Sequence, residues 1–389
     1  MKSRYHAFNK SKKADSFRQY QLCQRCIMDT SDPEIEFDEK GICNHCRTYE
    51  NLAQQYFLPG IERQAALNRL VEEIRTRGKG KQYDCVIGVS GGVDSTFLAY
   101  EVMKLELRPL AVHMDNGWDS ELAVSNIEKF LKKLNIDLYT YVMNWEEFKN
   151  LQFAFLKASV SDAEIPTDHA IQGVLYKIAA EEGISYILTG GNFVTEGILP
   201  VSWTYGVWDW RYIRNVHKRF GVHKLREYPH YSLMDWVYYV MVRKIRNIHL
   251  LDYLPYVKKE VIKVLEKDLG WKYYGGKHYE SIYTRFFQGF ILPRKFNIDK
   301  RRAHLSTLIM SGGMTREEAL EELNEPPYSE SLQEEDKEYV LKKLGLTGKD
   351  FTEIMSLPVK NHKDYPTSEF FIRNFKIFVR LARKMKLMP

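Results

Sequence analysis

The sequence predicts an α/β protein built on a doubly wound parallel sheet, with a small cysteine-rich knuckle before the sheet and a mainly helical C-terminal region after it. Three observations carry this reading. From Tyr83 onward, short apolar and β-branched runs (84–89, 109–114, 138–142, 185–189) alternate with segments of helical period (94–105, 119–134, 168–182), the rhythm of a parallel sheet with helices on both faces. Residues 21–50 hold two Cys-x-x-Cys pairs among polar turn residues, with too few apolar side chains for a core of their own. In the last ninety or so residues helical patterns dominate, as at 315–323, where Thr315 and Glu318 form a capping-box pattern and Glu325-Pro326-Pro327 breaks the helix.

The bulk numbers bound the problem. A chain of 389 residues, 44% hydrophobic, can bury a large core in two or three domains. A net charge of +6 suits phosphate-bearing ligands or nucleic acid without demanding either. Four of the five cysteines fall in the two pairs, which points to a reducing compartment and metal binding rather than a disulfide framework. The N-terminus is basic and polar without an apolar signal segment, and the longest apolar runs, such as Leu233 to Val242, fall short of the roughly 20 residues of a bilayer span. A cytoplasmic protein with no membrane insertion is expected.

Taken in order, residues 1–20 read as a basic leader and 21–50 as the knuckle. Residues 51–80 hold an amphipathic helix and a linker: Ile61, Ala65, Leu67, Leu70, Val71 and Ile74 recur at helical spacing until Gly78-Lys79-Gly80. Residues 81–200 carry the sheet, and 201–325 form a region that completes the site. Between 200 and 290 aromatics crowd together, including Trp203, Tyr205, Trp208, Trp210, Trp236 and Trp271. A helical subdomain with its own core is expected there, the alternative being a wall for a sugar or base ring. Residues 326–389 form a helical tail.

Cys23-x-x-Cys26 and Cys43-x-x-Cys46 are separated by sixteen residues, a spacing suited to a closed four-cysteine zinc site. All four positions are then thiolate, so the role is structural. His45, between paired cysteines, is disfavoured as a ligand. Cys85 sits inside the first buried strand as packing, and residue 2 is Lys, so the chain has no cysteine placed to act as a glutaminase nucleophile.

The turn Ser90-Gly91-Gly92-Val93-Asp94-Ser95 ends the first strand and opens a helix. Glycines let backbone N–H groups curl round an anion, the helix dipole adds positive potential, and the serine hydroxyls donate. Asp94 suits a phosphate only through a cation, so it is assigned to Mg²⁺. The turn has neither the Walker A spacing with its lysine nor G-x-G-x-x-G.

In order and context the turn resembles the SGGxDS loop of the N-type ATP pyrophosphatases, which cleave ATP between the α and β phosphates and adenylate a carbonyl or carboxyl oxygen. The resemblance implies an adenine nucleotide alpha hydrolase-like sheet over 81–200. It also implies ATP contacts from Val89, Ser90, Gly91, Gly92, Asp94 and Ser95. "LAVHMDNGWDS" then supplies Met114, Asp115 and Asn116 for adenine and ribose. In "YILTGGNFVTEG", Gly190 and Gly191 approach the nucleotide, with Asn192, Thr195 and Glu196 at its reacting end.

The cysteine block together with "SGGVDS", "EIPTDHAI", "TGGN" and the stretch from Gly275 to Leu320 resembles the N-acetyl sugar amidotransferases of bacterial surface-polysaccharide (O-antigen, lipopolysaccharide) biosynthesis. That resemblance implies an acetamido sugar, nucleotide-linked or a nonulosonate, whose amide oxygen is adenylated and displaced by ammonia to give an acetamidino sugar, AMP and pyrophosphate. It implies a separate glutaminase, with a channel-forming companion subunit, as ammonia source. Lys277, Lys295 and Arg301 are the candidate catalytic cations, alongside Asp94. His278, Glu280, Arg285 and Asp299 are assigned to the substrate, Glu280 and Asp299 orienting the cations or holding Mg²⁺. Arg294, Lys300 and Arg302 lie in the same block.

Two other readings stand against this one. A tRNA-thiolating enzyme would need redox or cluster cysteines beyond the zinc site, and a lysidine-type enzyme a more basic surface; nucleic acid is therefore not an expected partner. A non-catalytic nucleotide sensor or zinc-knuckle binding module would not need the dense polar block at 275–302.

Overall fold

The computed structural model describes residues 19–56, 59–276 and 279–370. Five parallel strands, β1 (Cys85–Gly88), β2 (Pro109–Asp115), β3 (Asp137–Val142), β4 (Tyr186–Thr189) and β5 (Arg246–His249), form one sheet in the order β3-β2-β1-β4-β5. Val86 pairs with Leu110 on one side and with Ile187 on the other, so β1 is central. Strand order reverses beside β1, which puts the ligand crevice of an open parallel sheet beyond that strand's C-terminal end.

Helices α1 (Asn44–Tyr56) and α2 (Gly60–Gly78) precede the sheet. The strands are linked by α3 (Val93–Lys104), α4 (Glu121–Leu134), α5 (Trp145–Ala158) and α6 (Ile165–Glu181). After β4 come α7 (Phe193–Glu196), α8 (Trp210–Phe220), α9 (Leu233–Val237) and, beyond β5, α10 (Lys258–Leu269). The C-terminal part is α11 (Ile282–Phe286), running on as a wide π-type turn over Phe287–Phe296, then α12 (Lys300–Met310), α13 (Arg316–Asn324), α14 (Glu330–Leu344) and α15 (Gly348–Ser356).

Alternation along the strands divides the core. Val86, Leu110, Val112 and Ile187 pack on the side of α5 and α6; Cys85, Ile87, Ala111 and Leu188 pack with residues of α2, α3, α4 and α10. Around β1, β2 and β4 both faces are thus dry, which is why those strands read as continuous apolar runs, whereas the edge strand β3, expected to be buried on both faces, is largely exposed. Cys85 is fully buried among them, and burial pushes its thiol up.

The aromatic region does not build a core of its own. Trp203, Tyr205, Tyr212 and Tyr228 join the cluster under one face of the sheet, while Tyr256 and Trp271 join the other. It also supplies β5, a strand its charged sequence does not suggest. At the other end, Thr315 and Glu318 exchange the two capping-box bonds at 2.7 and 3.1 Å. Gly312, at φ +77°, closes α12. Among the described residues no helix is long and apolar enough to cross a membrane.

Candidate active site

The turn after β1 is held from several directions. Ser95 Oγ accepts from the Ser90 N–H at 3.2 Å, and Ser90 Oγ accepts from Gly92 N–H at 3.3 Å. Gly91 adopts φ +75°, and a Cβ there would lie 2.5 Å from the Ala123 carbonyl oxygen, so only glycine fits. The aromatic region then buttresses the turn: Trp271 Nε1 donates to Gly91 O at 2.9 Å, and Val93 N–H donates to the Tyr274 hydroxyl at 3.1 Å. The Tyr256 hydroxyl donates to the Asp94 carboxylate. Composition alone could not find these three aromatics, because their partners lie 162 to 181 residues away.

Val89 and Ser90 open onto a cavity of about 2860 Å³, well beyond the ordinary range of roughly 300–1,000 Å³ for a single small ligand. Its walls include the ends of β1 and β2, the start of α6, the stretch after β4, the start of α10, the knuckle, and the stretch from Tyr273 to Tyr328. Met114 and Asn116 line it; Asp115 does not, its Oδ1 accepting from Gly117 N–H at 2.9 Å. Beside them His113 bridges Val89 O at 3.1 Å and Asp119 Oδ2 at 3.2 Å. Burial opposes charge on that ring, but the Asp119 contact outweighs it and raises the His113 pKa.

The second Gly-Gly supports the first loop without lining the cavity. A Cβ on Gly190 would meet the Asp94 carbonyl carbon at 2.9 Å and Ser95 N at 3.0 Å, so two backbones touch there. Thr195 and Glu196 line the cavity. Asn192 does not: it is fully buried and caps α7, its Oδ1 accepting from Thr195 N–H at 2.9 Å.

Of the candidate cations, Lys277 and His278 lie outside the described residues. Lys295 is directed away from the cavity, its Nζ donating to the carbonyls of Ile354, Met355 (3.3 Å) and Leu357 (3.1 Å) at the end of α15. Helix-end carbonyls, rather than a reacting group, claim that charge. Arg301 borders the cavity, but its guanidinium is committed to Asp299 at 2.7 Å and to the carbonyls of Glu322 and Glu325 at 3.2 and 2.9 Å. Asp299 also caps α12. Both act as staples of the wall. Arg285 does face the cavity, held by Asp336 through two bonds of 2.7 Å and set against the rings of Tyr279 and Tyr328. Glu280 lines the cavity and reaches over Gly92.

A further polar group lines the wall at the start of α6. Glu164 Oε2 accepts from Gln288 Nε2 at 2.8 Å and pairs with Lys300 Nζ at 3.2 Å. Asp168 lies one turn along the same helix and also faces the cavity. Asp168 is exposed on that wall, and the crowding of the helix start, with Glu164 and Asp162 nearby, raises its carboxyl above the usual range. The i,i+4 spacing of Glu164 and Asp168 at a helix start was the available sequence signal.

The four cysteines converge: Sγ atoms of Cys23 and Cys46, Cys26 and Cys43, and Cys43 and Cys46 lie 3.9, 3.6 and 3.7 Å apart. A tetrahedral ion with metal–sulfur bonds of about 2.3 Å requires sulfur separations close to these, so the cluster fits such an ion. His45 is not part of it; its Nε2 meets Asp32 Oδ2 at 2.6 Å. The knuckle is also packed against the C-terminal helices. Arg316 donates to Cys26 O and Cys23 O at 3.2 and 3.0 Å, and Arg302 pairs with Asp29 at 3.1 Å.

Sheet order, switch-point loop and cavity together define a parallel α/β protein with a glycine-rich turn at the switch point of its sheet. Residues 280–381 match the family model of the LPS biosynthesis protein WbpG-like C-terminal domain. Over 332 residues it is 25% identical to an uncharacterized protein of Methanocaldococcus jannaschii, covering 80% of this chain and 96% of that one. An 83-residue stretch is 41% identical to the glutamine-hydrolyzing GMP synthase of Pyrobaculum aerophilum, covering 21% of this chain and 16% of that enzyme. Among solved structures, NMN synthetase from Francisella tularensis aligns with a TM-score of 0.34 at 14% identity, over 78% of this chain and 99% of that one. A predicted subunit of tRNA methyltransferase from Methanocaldococcus jannaschii aligns with a TM-score of 0.26 at 16% identity, over 47% of this chain and 75% of that one.

Proposed function

We propose that this protein is an ATP-dependent, AMP-forming amidotransferase. It adenylates the acetamido oxygen of an N-acetyl sugar, a nucleotide sugar or a nonulosonate, and replaces that oxygen with ammonia to give an acetamidino sugar for bacterial surface-polysaccharide biosynthesis. The observation that carries the reading is that the serine-glycine loop and the WbpG-like domain open onto one cavity large enough for two sizeable ligands.

The chemistry follows from the substrate. An amide carbonyl is a weak electrophile with a poor leaving group, so its oxygen first attacks the α-phosphorus of ATP and pyrophosphate leaves. The 90–95 turn receives the pyrophosphate chiefly through the dipole of α3, since the N–H groups of Ser90, Gly92 and Val93 are engaged by Ser95, Ser90 and Tyr274. Asp94, backed by Tyr256, is the residue to hold Mg²⁺, which when bound neutralises phosphate charge. Arg285 binds an anionic group of the sugar substrate; its contact with Asp336 fixes the guanidinium plane. Ammonia then attacks the imidate carbon and AMP departs with the amide oxygen. Zinc bound by the four cysteines holds the knuckle wall, and a separate glutaminase, with or without a channel subunit, supplies ammonia.

The test is to incubate the protein with ATP, Mg²⁺, an ammonium salt and a panel of N-acetyl nucleotide sugars and nonulosonates, measuring AMP, pyrophosphate and sugar mass. Release of AMP and pyrophosphate with replacement of one oxygen by NH supports the reading. ADP formation, or ATP binding without turnover across the panel, sinks it.

A further inference from the structure

The insertion between β4 and β5 carries two surfaces that the nucleotide chemistry does not use, since no residue between Thr204 and Tyr256 lines the cavity. The first is apolar. Helix α9 runs on as a π-type turn, and from Leu233 to Val242 no side chain is fully buried. Met234, Tyr238, Met241 and Val242 recur at i, i+4, i+7 and i+8, one face of a helix, and are 74, 46, 45 and 65% exposed. The opposite face holds the protein: Tyr239 stacks on Tyr176 of α6 at 5.4 Å, and Arg243 donates to the Ala180 carbonyl. A surface helix ordinarily turns its apolar stripe inward; this one presents it to solvent. The second surface is basic. Residues 209–246 hold nine Lys and Arg against three Asp and Glu, an excess equal to the +6 of the whole chain. Helix α8 turns Tyr212, Ile213 and Val216 inward and exposes Arg214, Lys218 and Arg219. The three acids accept hydrogen bonds from the protein itself: Asp209 from the Tyr212 N–H at 3.0 Å, Glu227 from Asn144 at 3.0 Å and Asp235 from Ser232 at 2.7 Å. Both surfaces lie outside the α5–α6 layer. Helix α8 packs on α5, and His169 of α6 stacks with Trp210 of α8 at 5.8 Å and with Tyr231, at the entry to α9, at 4.5 Å.

Charge decides what covers this face. A second copy of the chain would set one cationic surface against its like. Residues 371–389 add six Lys and Arg and no Asp or Glu, so that segment is repelled in the same way. A nucleic acid satisfies the cations and offers rings to aromatic side chains, but Met234, Met241 and Val242 have no ring to stack with. A bilayer with anionic headgroups supplies both halves, negative charge at its surface and hydrocarbon just beneath. We infer that the α8–α9 face docks on an anionic phospholipid bilayer. The 234–242 stripe enters the headgroup boundary, and the Lys and Arg of 211–244 lie on lipid phosphates. Helix α9 follows α6 from Tyr231 beside His169 toward Ala180, away from the helix start that lines the cavity. Docking and nucleotide binding therefore use separate surfaces.

The experiment is vesicle flotation of the full chain. At low salt, vesicles of phosphatidylcholine with about 30% phosphatidylglycerol should carry wild type up the gradient, and phosphatidylcholine alone should not. Met234→Ser combined with Met241→Ser changes only exposed positions and should weaken partitioning by about tenfold or more. Lys218→Gln with Lys224→Gln should weaken it by about fivefold per charge removed. In Tyr238→Trp the new indole should be quenched by brominated acyl chains, which separates entry into the headgroup boundary from adhesion by charge alone. Unchanged circular dichroism and unchanged affinity for a non-hydrolysable ATP analogue are expected of every variant. The proposal is overturned by no flotation with anionic vesicles, whether or not polyuridylate binds instead, by equal flotation with neutral vesicles, by a methionine or lysine variant that partitions like wild type, or by an unquenched indole. It is also overturned if wild type sediments as a dimer that the methionine variant dissolves, which assigns the face to a second copy.

Discussion

Trp271 Nε1 donates to the Gly91 carbonyl at 2.9 Å, tying the apex of the 90–95 turn to a residue 180 positions further along the chain. The indole is 1% exposed, so the carbonyl has no water to fall back on. Trp271→Phe keeps most of the apolar volume and removes the donor, leaving a buried acceptor unsatisfied at a cost of about 1–3 kcal/mol. Both the urea midpoint and the affinity for a non-hydrolysable ATP analogue should fall. A lower midpoint with unchanged affinity would show that the indole supports the fold and not the loop.

The close approach of the two Gly-Gly turns gives a sharper test of the loop. A methyl at Gly190 meets the Asp94 and Ser95 backbone at 2.9–3.0 Å, and backbone cannot swing aside as a flexible side chain does. Gly190→Ala should cost about 1–3 kcal/mol as an overpacked site, with nucleotide affinity down by roughly tenfold per 1.4 kcal/mol transmitted to the loop. Gly348→Ala, where a Cβ meets nothing within 4 Å, is the control. Calorimetric titration of both variants with the analogue checks this, and equal affinities would sever the second Gly-Gly from nucleotide binding.

What the sequence made legible is what is encoded locally. The apolar run into Ser90-Gly91-Gly92 needs only its neighbours to be read, and the sheet rhythm follows from burial on both faces. The cysteine spacing likewise states its own geometry. Helix α5 stayed hidden because its buried face carries Glu147, Asn150 and Gln152. Those polar groups serve distant partners: Glu147 accepts from the backbone of Arg226, Glu227 and Tyr228 at 2.8–3.0 Å, contacts no local period reveals. Strand β5 is obscured for a different reason: Arg246 stays exposed and only Ile248 is buried, so its pairing with β4 has no apolar run to announce it. Lys295 was misjudged because a cation in a polar block reads as facing the cavity, whereas the carbonyl ends of α15 hold it. Asp168, conversely, lay unassigned inside "EIPTDHAI" because nothing local tells which side of α6 meets a cavity.

Removing metal from the cysteine cluster should loosen one wall while sparing the sheet. The knuckle contributes backbone acceptors to Arg316 and Arg302, and these contacts depend on the chain path that the four sulfurs impose. Protein purified under reducing conditions should hold one ion per chain by elemental analysis. Chelation, or Cys43→Ser, should open residues 21–50 to limited proteolysis and lower Tm. Because the sheet face with Cys85, Ile87 and Leu188 packs without the knuckle, most of the far-ultraviolet circular dichroism should survive. Unchanged Tm and proteolysis after complete metal removal would contradict a structural role.

His169 gives the pH dependence a defined sign. Its Nδ1 lies 2.6 Å from Val207 O, so it must donate there, while Nε2 accepts the Tyr231 N–H at 3.3 Å and stacks with the Tyr231 ring at 4.5 Å. Both ring nitrogens are thereby committed to the neutral form, and burial pushes the pKa down to about 4 from 6.5. A base whose folded pKa lies below its unfolded value adds stability that is complete above pH 6.5 and is lost as pH falls toward 4. In that window unfolding takes up a proton at this site, with a slope of up to about 1.4 kcal/mol per pH unit. Urea unfolding of wild type from pH 7.5 to 4 should be steeper in this range than that of His169→Gln, which keeps hydrogen-bonding capacity but does not titrate. The variant will be less stable at pH 7.5, since a flexible amide replaces a ring stacked on Tyr231, and the two curves should converge toward pH 4. Parallel curves would mean that His169 is already charged in the fold, which the Tyr231 N–H aimed at Nε2 does not allow.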